Sequence, residues 1–276
     1  MAELSRPSIR QALGRLLHGV DAIVGTPDAL LTKTGFAVKA LGVYEDSYFN
    51  DWYGRFYEGP LQGANFSVTG FDKIDDNSNL GTLTISPAQT VSVTALDLFE
   101  LYPEFSPSEM DNAINLAISL VETEALIPIV DGTLMVASST WEYTVPPGIV
   151  YIDRIYQESN NAGRYSPIDN VVDVRHWRLL PGRMLWFDNA YVSLTTGRRL
   201  RIVGQKAPTQ LSRDTDKTPV HQTYLDYQAA AILHQSRIRG RGSAFEERES
   251  QMRLAQVVAD RERGHIRVAS RGSKVE

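Results

Sequence analysis

The sequence contains no cysteine, which excludes disulfide bonds and thiolate metal sites. No apolar run approaches the roughly 20 residues that a membrane-spanning helix requires, so we expect no membrane partner. Phosphate-loop, dinucleotide-loop, H-E-x-x-H and G-x-S-x-G motifs are all missing. The five histidines are scattered, and no pair has metal-ligand spacing on one helix face. We therefore predict no catalytic residue, no cofactor and no metal site.

The composition is that of a globular protein with an uneven charge distribution. Hydrophobic residues make up 42% of the 276 residues and charged residues 22%, and the formal net charge is −5. From Ser236 to Glu276 there are nine Arg and one Lys against five Glu and one Asp, a balance of +4 that leaves −9 elsewhere. This basic end is either a solvated helical tail or an arm that binds an acidic or nucleic-acid surface.

Helical patterns occur near both ends and in the middle of the chain. The spacing of Ser8 and Gln11 predicts a capping box for an N-terminal helix. For the central helix we predict Ser106 as N-cap, Pro107 at the first helical position and Glu109 closing a capping box. Its predicted apolar stripe contains Ile114, and its predicted polar face contains Asp111. Two further helices are expected over 220–239 and 243–263.

Strand patterns fill most of the rest. Apolar and polar residues alternate in "NFSVTGF", "GTLTISP" and "TVSVTAL", as in strands with one buried face. The turn-rich "DKIDDNSNLG" between the first two predicts a hairpin. Strand signals return from Thr133 to Gly204, in a region rich in Val, Ile, Tyr and Trp.

Three of these segments resemble sequences of structural proteins in tailed bacteriophages. The first is "YGRFYEGPLQGANFSVTGFDKIDDNSNLGTLTISPAQT", and its matching residues are Val68, Phe71, Asp72, Gly81, Thr82, Leu83, Thr84, Pro87 and Ala88. The second is the helix "FSPSEMDNAINLAI". The third is "LRIVGQKAPTQLSRDTDKTPV", followed by a helix with "AAAIL". Together they are similar to head–tail connector (adaptor or neck) proteins, over most of Asp51–Gln235.

The resemblance implies a fold and a biological setting. The expected fold is α+β: a helical connector core of an N-terminal, a central and two C-terminal helices, with inserted antiparallel β-domains and an extended C-terminal arm. The expected protein is a non-enzymatic virion component at the head–tail junction, assembled in the host cytoplasm. Its partners would be the portal protein, a downstream neck or tail protein, and itself in a ring of about twelve copies. Double-stranded DNA would pass through this ring without sequence-specific binding.

We predict four segments along the chain. Residues 1–34 form the N-terminal helix and linker, and 35–102 an antiparallel β-domain. Residues 103–216 contain the central helix and further strands, and 217–276 the C-terminal helices with a portal-docking arm.

Two sets of residues are candidate contacts. The C-terminal region is expected to bind the portal, with 264–276 ordered only in the complex, through Phe245, Met252, Val258, Arg261, Arg263, Arg267, Arg271 and Lys274. The helix after the loop Gln205–Pro219 is expected to contact neighbouring subunits through Ala229, Ala230, Ala231 and Leu233, unless these alanines fill the interior of one chain. The loop itself is expected to be free to contact a neighbouring ring.

Two other functions remain open at this stage. One is a tail-side neck protein, either a stopper or a tail terminator. The other is a soluble β-rich binding module or hydrolase that is unrelated to virions.

Overall fold

The computed structural model describes residues 3–19, 21–74, 79–159, 163–165, 171–238, 243–266 and 273–274. The chain divides into two compact units, each discontinuous in sequence. Unit 1 comprises Met1–Leu120 and Thr209–His265, and unit 2 comprises Val121–Pro208 and Ile266–Glu276. This division differs from the four consecutive segments predicted above, because segments that are distant in sequence pack together within each unit.

Within the described residues, unit 1 contains the α-helices. They are α1 (Arg6–His18), α2 (Pro107–Leu120), α3 (Gln222–Arg237) and α4 (Ser243–Ile266). Helix α4 extends by its last residue into the range of unit 2. No described helix has the length and apolarity needed to cross a membrane.

The helix ends show how far the capping predictions hold. Helix α1 begins earlier than the capping box at Ser8 predicts, because Ser5 is the N-cap and its side chain accepts a hydrogen bond from the Ser8 backbone N–H. The α2 capping box is confirmed. The Ser106 N–H donates to Glu109 Oε2 at 2.9 Å, and the Glu109 N–H donates to Ser106 Oγ at 3.2 Å.

A six-stranded antiparallel sheet forms the β part of unit 1. In spatial order its strands are β2 (Ile23–Gly25), β7 (Leu98–Tyr102), β4 (Tyr53–Glu58), β5 (Asn65–Lys73), β6 (Gly81–Ser86) and β3 (Gly35–Val38). The predicted pairing of the two alternating segments is confirmed, since β5 and β6 pair antiparallel. The sheet curls around a core rich in phenylalanine, which includes Phe36, Phe56, Phe66, Phe71 and Phe99. A short pair, β1 (Leu4–Ser5) with β15 (Lys217–Thr218), joins two distant parts of unit 1.

The described part of unit 2 is built mainly from strands. One sheet contains β11 (Val171–Val172), β10 (Ile149–Gln157), β14 (Arg199–Lys206) and β8 (Ile127–Met135), with β16 (Ser273–Lys274) also paired to β10. A second sheet contains β12 (Trp177–Leu180), β13 (Met184–Phe187) and β9 (Glu142–Thr144). Side chains from both sheets share one apolar core, in which Ile152, Ile202 and Leu185 are fully buried.

The predicted fold class is wrong. The protein is mostly β, with four helices and 31% strand in the part that the structure describes, and it has no helical core into which β-domains are inserted. The reason lies in the packing. The apolar core of unit 2 consists of strand and loop residues, and the phenylalanine core of unit 1 lies within the curled sheet. The helices are therefore additions to a protein whose two apolar cores are formed mainly by strand residues.

Candidate functional site

The most concentrated chemistry in the described residues is a buried cluster of charges in unit 1, centred on Arg10 of α1. The Arg10 guanidinium donates from Nε to Glu100 Oε1 at 2.5 Å. From Nη1 it donates to Asp111 Oδ1 at 2.7 Å and to Asp214 Oδ1 at 2.8 Å. Arg10 is completely buried, and so is Glu100. One cation thus joins strand β7, helix α2 and the segment before β15.

Two further arginines complete what we call the charge cluster: Arg6, Arg10, Arg55, Glu100, Asp111 and Asp214. Arg6 Nη2 lies 2.9 Å from Asp111 Oδ2, and Arg55 of β4 lies 3.0 Å from Asp214 Oδ2. The Tyr102 hydroxyl donates to Glu100 Oε2 at 3.1 Å. Each of the six carboxylate oxygens in the charge cluster is therefore engaged, and three positive groups balance three negative groups.

Burial and neighbouring charges shift the pKa values of three groups in and beside the charge cluster. Burial lowers the pKa of Arg10, but the carboxylates of Glu100, Asp111 and Asp214 outweigh it and raise that pKa above its ordinary value. Burial raises the pKa of Glu100, which Arg10 only partly offsets. Burial, followed by the nearby Glu100 charge, raises the pKa of Tyr102 well above its ordinary value. Arg10 therefore stays charged throughout the physiological pH range.

The geometry of the charge cluster suits an anchor. Its carboxylate oxygens already accept hydrogen bonds from guanidinium or hydroxyl groups of the same unit. Removing one partner of such a buried network leaves an uncompensated charge, so the members hold one another in place. The cluster fixes α1, α2 and the segment around Asp214 against the curled sheet.

Our sequence reasoning did not find this cluster. The spacing of α2 predicts Asp111 on its polar face, but Asp111 is buried, and Arg6 and Arg10 bind its two oxygens. One signal was available in the sequence: Arg10 follows the apolar Ile9 directly and lies three residues before Leu13, on the side of α1 that packs inward. Its partners could not be identified, since Arg10 is separated from them by 90, 101 and 204 residues.

The second half of the loop Gln205–Pro219 is not free, contrary to the prediction. Asn115 of α2 binds Leu211 through two hydrogen bonds, from Asn115 Nδ2 to the Leu211 carbonyl at 2.9 Å and from the Leu211 N–H to Asn115 Oδ1 at 2.8 Å. Leu211 and Asp214 are both buried. Asp214 lies in the charge cluster, so these two buried side chains anchor the segment to unit 1.

The four residues predicted to face a neighbouring subunit are covered within one chain. Ala229, Ala230, Ala231 and Leu233 are all buried in α3. The Tyr224 hydroxyl of the same helix donates to the Ala117 carbonyl of α2 at 3.2 Å, so α3 packs closely on α2. This placement favours the alternative interpretation, in which the alanines fill the interior of a single chain.

The predicted portal-contact residues are divided. Phe245, Met252 and Val258 are half-buried, and the seam they belong to includes the buried Ala255 and Ala259. Hydrogen bonds attach α4 to its own unit: Gln256 pairs with Gln228 of α3, and Arg248 donates to Glu104 at 2.5 Å. Helix α4 is therefore attached to its own unit, and the seam is partly covered there.

The basic residues of this set have different positions. Arg261 is exposed, and Arg263 donates to the Leu120 carbonyl at 3.3 Å. Arg267 and Arg271 lie outside the described residues. Lys274 belongs to β16, which pairs with β10. Of the segment expected to be ordered only in a complex, the residues up to Ile266 belong to α4 and Ser273–Lys274 form β16.

Unit 2 contains a shallow polar cleft of about 430 Å³, whose lining includes Glu158, Asp173, His176 and Tyr191. Glu158 is occupied by backbone groups, since it accepts from the Gly163 N–H at 2.5 Å and the Arg199 N–H at 3.1 Å. Asp173 is bound by the Arg175 side chain at 2.6 Å, and His176 stacks on Tyr191 at 4.9 Å. Across the ranges that the structure describes, no three metal-ligating side chains gather at one point.

No protein-family model and no curated protein matches this chain.

Proposed function

We propose that the chain is a non-enzymatic structural protein of the head–tail junction of a tailed bacteriophage. In this proposal it forms an adaptor ring beneath the portal, and DNA passes through the ring. The proposal rests on the sequence resemblance, and it does not depend on the helical core that the resemblance led us to expect.

One observation carries the proposal: the three segments of the resemblance contribute to the same cluster of charges. The aromatic strand segment supplies Arg55 in β4, the helix "FSPSEMDNAINLAI" supplies Asp111 in α2, and the loop before α3 supplies Asp214. Arg10 binds the last two directly. The three segments that resemble one class of proteins thus meet at one anchor in the structure. This is expected if the anchor maintains an arrangement that the class shares.

The chemistry of the charge cluster supports a structural role. Catalytic acids and bases need a lone pair or a proton that can reach a substrate. Here Glu100 and Asp111 are buried, and both oxygens of each are bound to groups of the same unit. The site holds helices and strands together, which suits a component that must keep its shape under mechanical load.

The test is direct binding to purified portal rings of the same phage. We expect the full chain to co-sediment with the rings at a fixed ratio, and we expect the variant that lacks 264–276 to bind the rings more weakly. Circular dichroism of the deletion variant would show whether unit 2 still folds without β16. Failure of the full chain to bind portal rings, together with binding to isolated tails, would favour a tail-side stopper or terminator. A hydrolase activity abolished by one acidic substitution would contradict the proposal.

A further inference from the structure

The segment 42–52, between β3 and β4, presents an aromatic surface on unit 1. Val43 and Tyr48 are 73% and 51% exposed, although both are large apolar side chains. The Tyr48 ring lies 4.8 Å from Tyr44, 4.9 Å from the buried Phe49 and 5.8 Å from Trp52. We call Val43, Tyr44, Tyr48 and Trp52 the aromatic patch. An exposed tyrosine ring packed on a buried ring and flanked by two half-buried rings is typical of an interface anchor.

The backbone holds the aromatic patch rigidly. Ser47 and Asp51 adopt positive φ angles of 66° and 65°, which non-glycine residues rarely do. Both are fixed to the neighbouring strand β5, because the Ser47 N–H donates to the Phe71 carbonyl at 2.8 Å and the Asp51 N–H to the Val68 carbonyl at 2.9 Å. A strained loop that the rest of the structure holds in place is often functional, and its rigidity lowers the entropy cost of binding.

The rim of the aromatic patch is acidic. Glu45, Asp46 and Asp51 are exposed, and they lie between or beside the aromatic residues in sequence. Such a rim repels the phosphates of nucleic acid and favours a partner whose apolar face carries arginine or lysine.

Helix α4 of the same unit offers a face of this kind. Leu254 and Val257 are each 66% exposed, and Arg261 is exposed as well. Their spacing of three and four residues places them on one side of the helix, opposite the side that contains the buried Ala255 and Ala259. We call Leu254, Val257 and Arg261 the outer face of α4.

We propose that the aromatic patch of one copy binds the outer face of α4 in a second copy of this chain. The apolar parts match, and Arg261 complements the carboxylates of the rim. Because two different surfaces meet, the contact is head-to-tail, and repeating it generates a closed ring or an open filament. The inference builds on the proposed ring, since it identifies which surfaces of neighbouring copies meet.

The chain has no cysteine of its own, so engineered cysteines report this contact directly. We would prepare Tyr48→Cys and Leu254→Cys as separate variants, mix them and apply a short thiol cross-linker, both free in solution and bound to portal rings. A covalent dimer of the two variants is expected. The matched control mixes Tyr48→Cys with Leu96→Cys in place of Leu254→Cys. Leu96 is exposed on unit 1, as Leu254 is, but it lies outside both surfaces.

The double variant Tyr48→Cys/Leu254→Cys separates head-to-tail contacts from symmetric ones. A head-to-tail contact gives a ladder of cross-linked oligomers, and adding Arg261→Glu should reduce its yield roughly fivefold. The inference would be overturned if Tyr48→Cys formed dimers with itself. It would also be overturned if the cross-linking yield, both in solution and on portal rings, were no higher than with Leu96→Cys. If the chain forms the ladder but is absent from virions, this inference stands and the proposed function is refuted. If the chain is located at the neck but forms no ladder, the proposed function stands and this inference is refuted.

Discussion

At the scale of single residues, Arg10 is a completely buried cation with three carboxylate partners. It pairs with three buried carboxylates, and its removal would leave Glu100, Asp111 and Asp214 with only the two positive charges of Arg6 and Arg55. We expect Arg10→Ala to lower the free energy of unfolding by roughly 3–5 kcal/mol. Urea denaturation followed by circular dichroism measures this.

Arg15→Ala is the matched control for this experiment. Arg15 lies on the same helix and pairs with Asp21, but both side chains are largely exposed. Its removal should change the free energy of unfolding by less than about 0.5 kcal/mol. Similar costs for the two substitutions would mean that the charge cluster does not anchor unit 1.

The carboxyl group of Asp226 in α3 is destabilised in its ionised form by burial. Its Oδ1 atom is buried with no hydrogen-bond partner among the described residues. Burial raises the pKa of Asp226 to about 7, although a hydrogen bond with Gln222 acts in the opposite direction. The folded state therefore holds the proton more tightly than the unfolded chain does. The resulting stability is fully present below the ordinary pKa of 3.8 and is lost as the pH rises through about 7.

Asp226→Asn should remove this pH dependence. We expect the variant to be more stable than the natural protein by about 1–3 kcal/mol at pH 8, with the difference vanishing near pH 4. Parallel urea titrations at the two pH values measure both quantities. An unchanged difference between pH 4 and pH 8 would show that Asp226 ionises normally in the folded protein.

Residue-scale features were the hardest to predict from the sequence. Alternation and helical spacing report which face of an element is apolar, but they do not report a charge that is buried with a distant partner. Asp111 follows Met110 on α2 and has the spacing of a solvated residue, and only the fold brings Arg6 and Arg10 to it. The aromatic patch is hard to predict for a related reason, since the sequence does not show that Ser47 and Asp51 on either side of Tyr48 adopt positive φ angles.

At the scale of elements, local patterns were more informative. The α2 capping box and the pairing of β5 with β6 follow from short-range chemistry and are confirmed. Assembly of the elements was less predictable. Unit 2 combines strands from two sheets around one core, and its β16 comes from the far end of the chain, so no local signal indicates their order.

Helix α2 allows a paired test of the core. Ile114 is completely buried, so Ile114→Ala should cost about 2–5 kcal/mol of stability. Leu116 lies two residues later on the exposed side, and Leu116→Ala should cost less than about 0.5 kcal/mol. Thermal and urea unfolding of both variants would check the assignment. A cost at Ile114 as small as that at Leu116 would be inconsistent with the structure.

At the scale of the whole molecule, the charge distribution determines how strongly the protein should bind DNA. The formal net charge is −5, and the basic excess is confined to the last 41 residues. We expect DNA binding to be weak, independent of sequence and strongly reduced by salt, as suits a wall along which DNA slides. Fluorescence anisotropy with labelled duplexes at several salt concentrations tests this. Tight binding to one sequence at physiological salt would argue against a channel protein.

The most direct test of the proposed function is the location of this chain in the virion. Purified phage particles that carry an epitope tag on the chain would be labelled with gold-conjugated antibody and imaged by electron microscopy. The account predicts label at the junction of head and tail, at one vertex of each particle. Particles without label, or label spread over the capsid shell or the tail fibres, would contradict it.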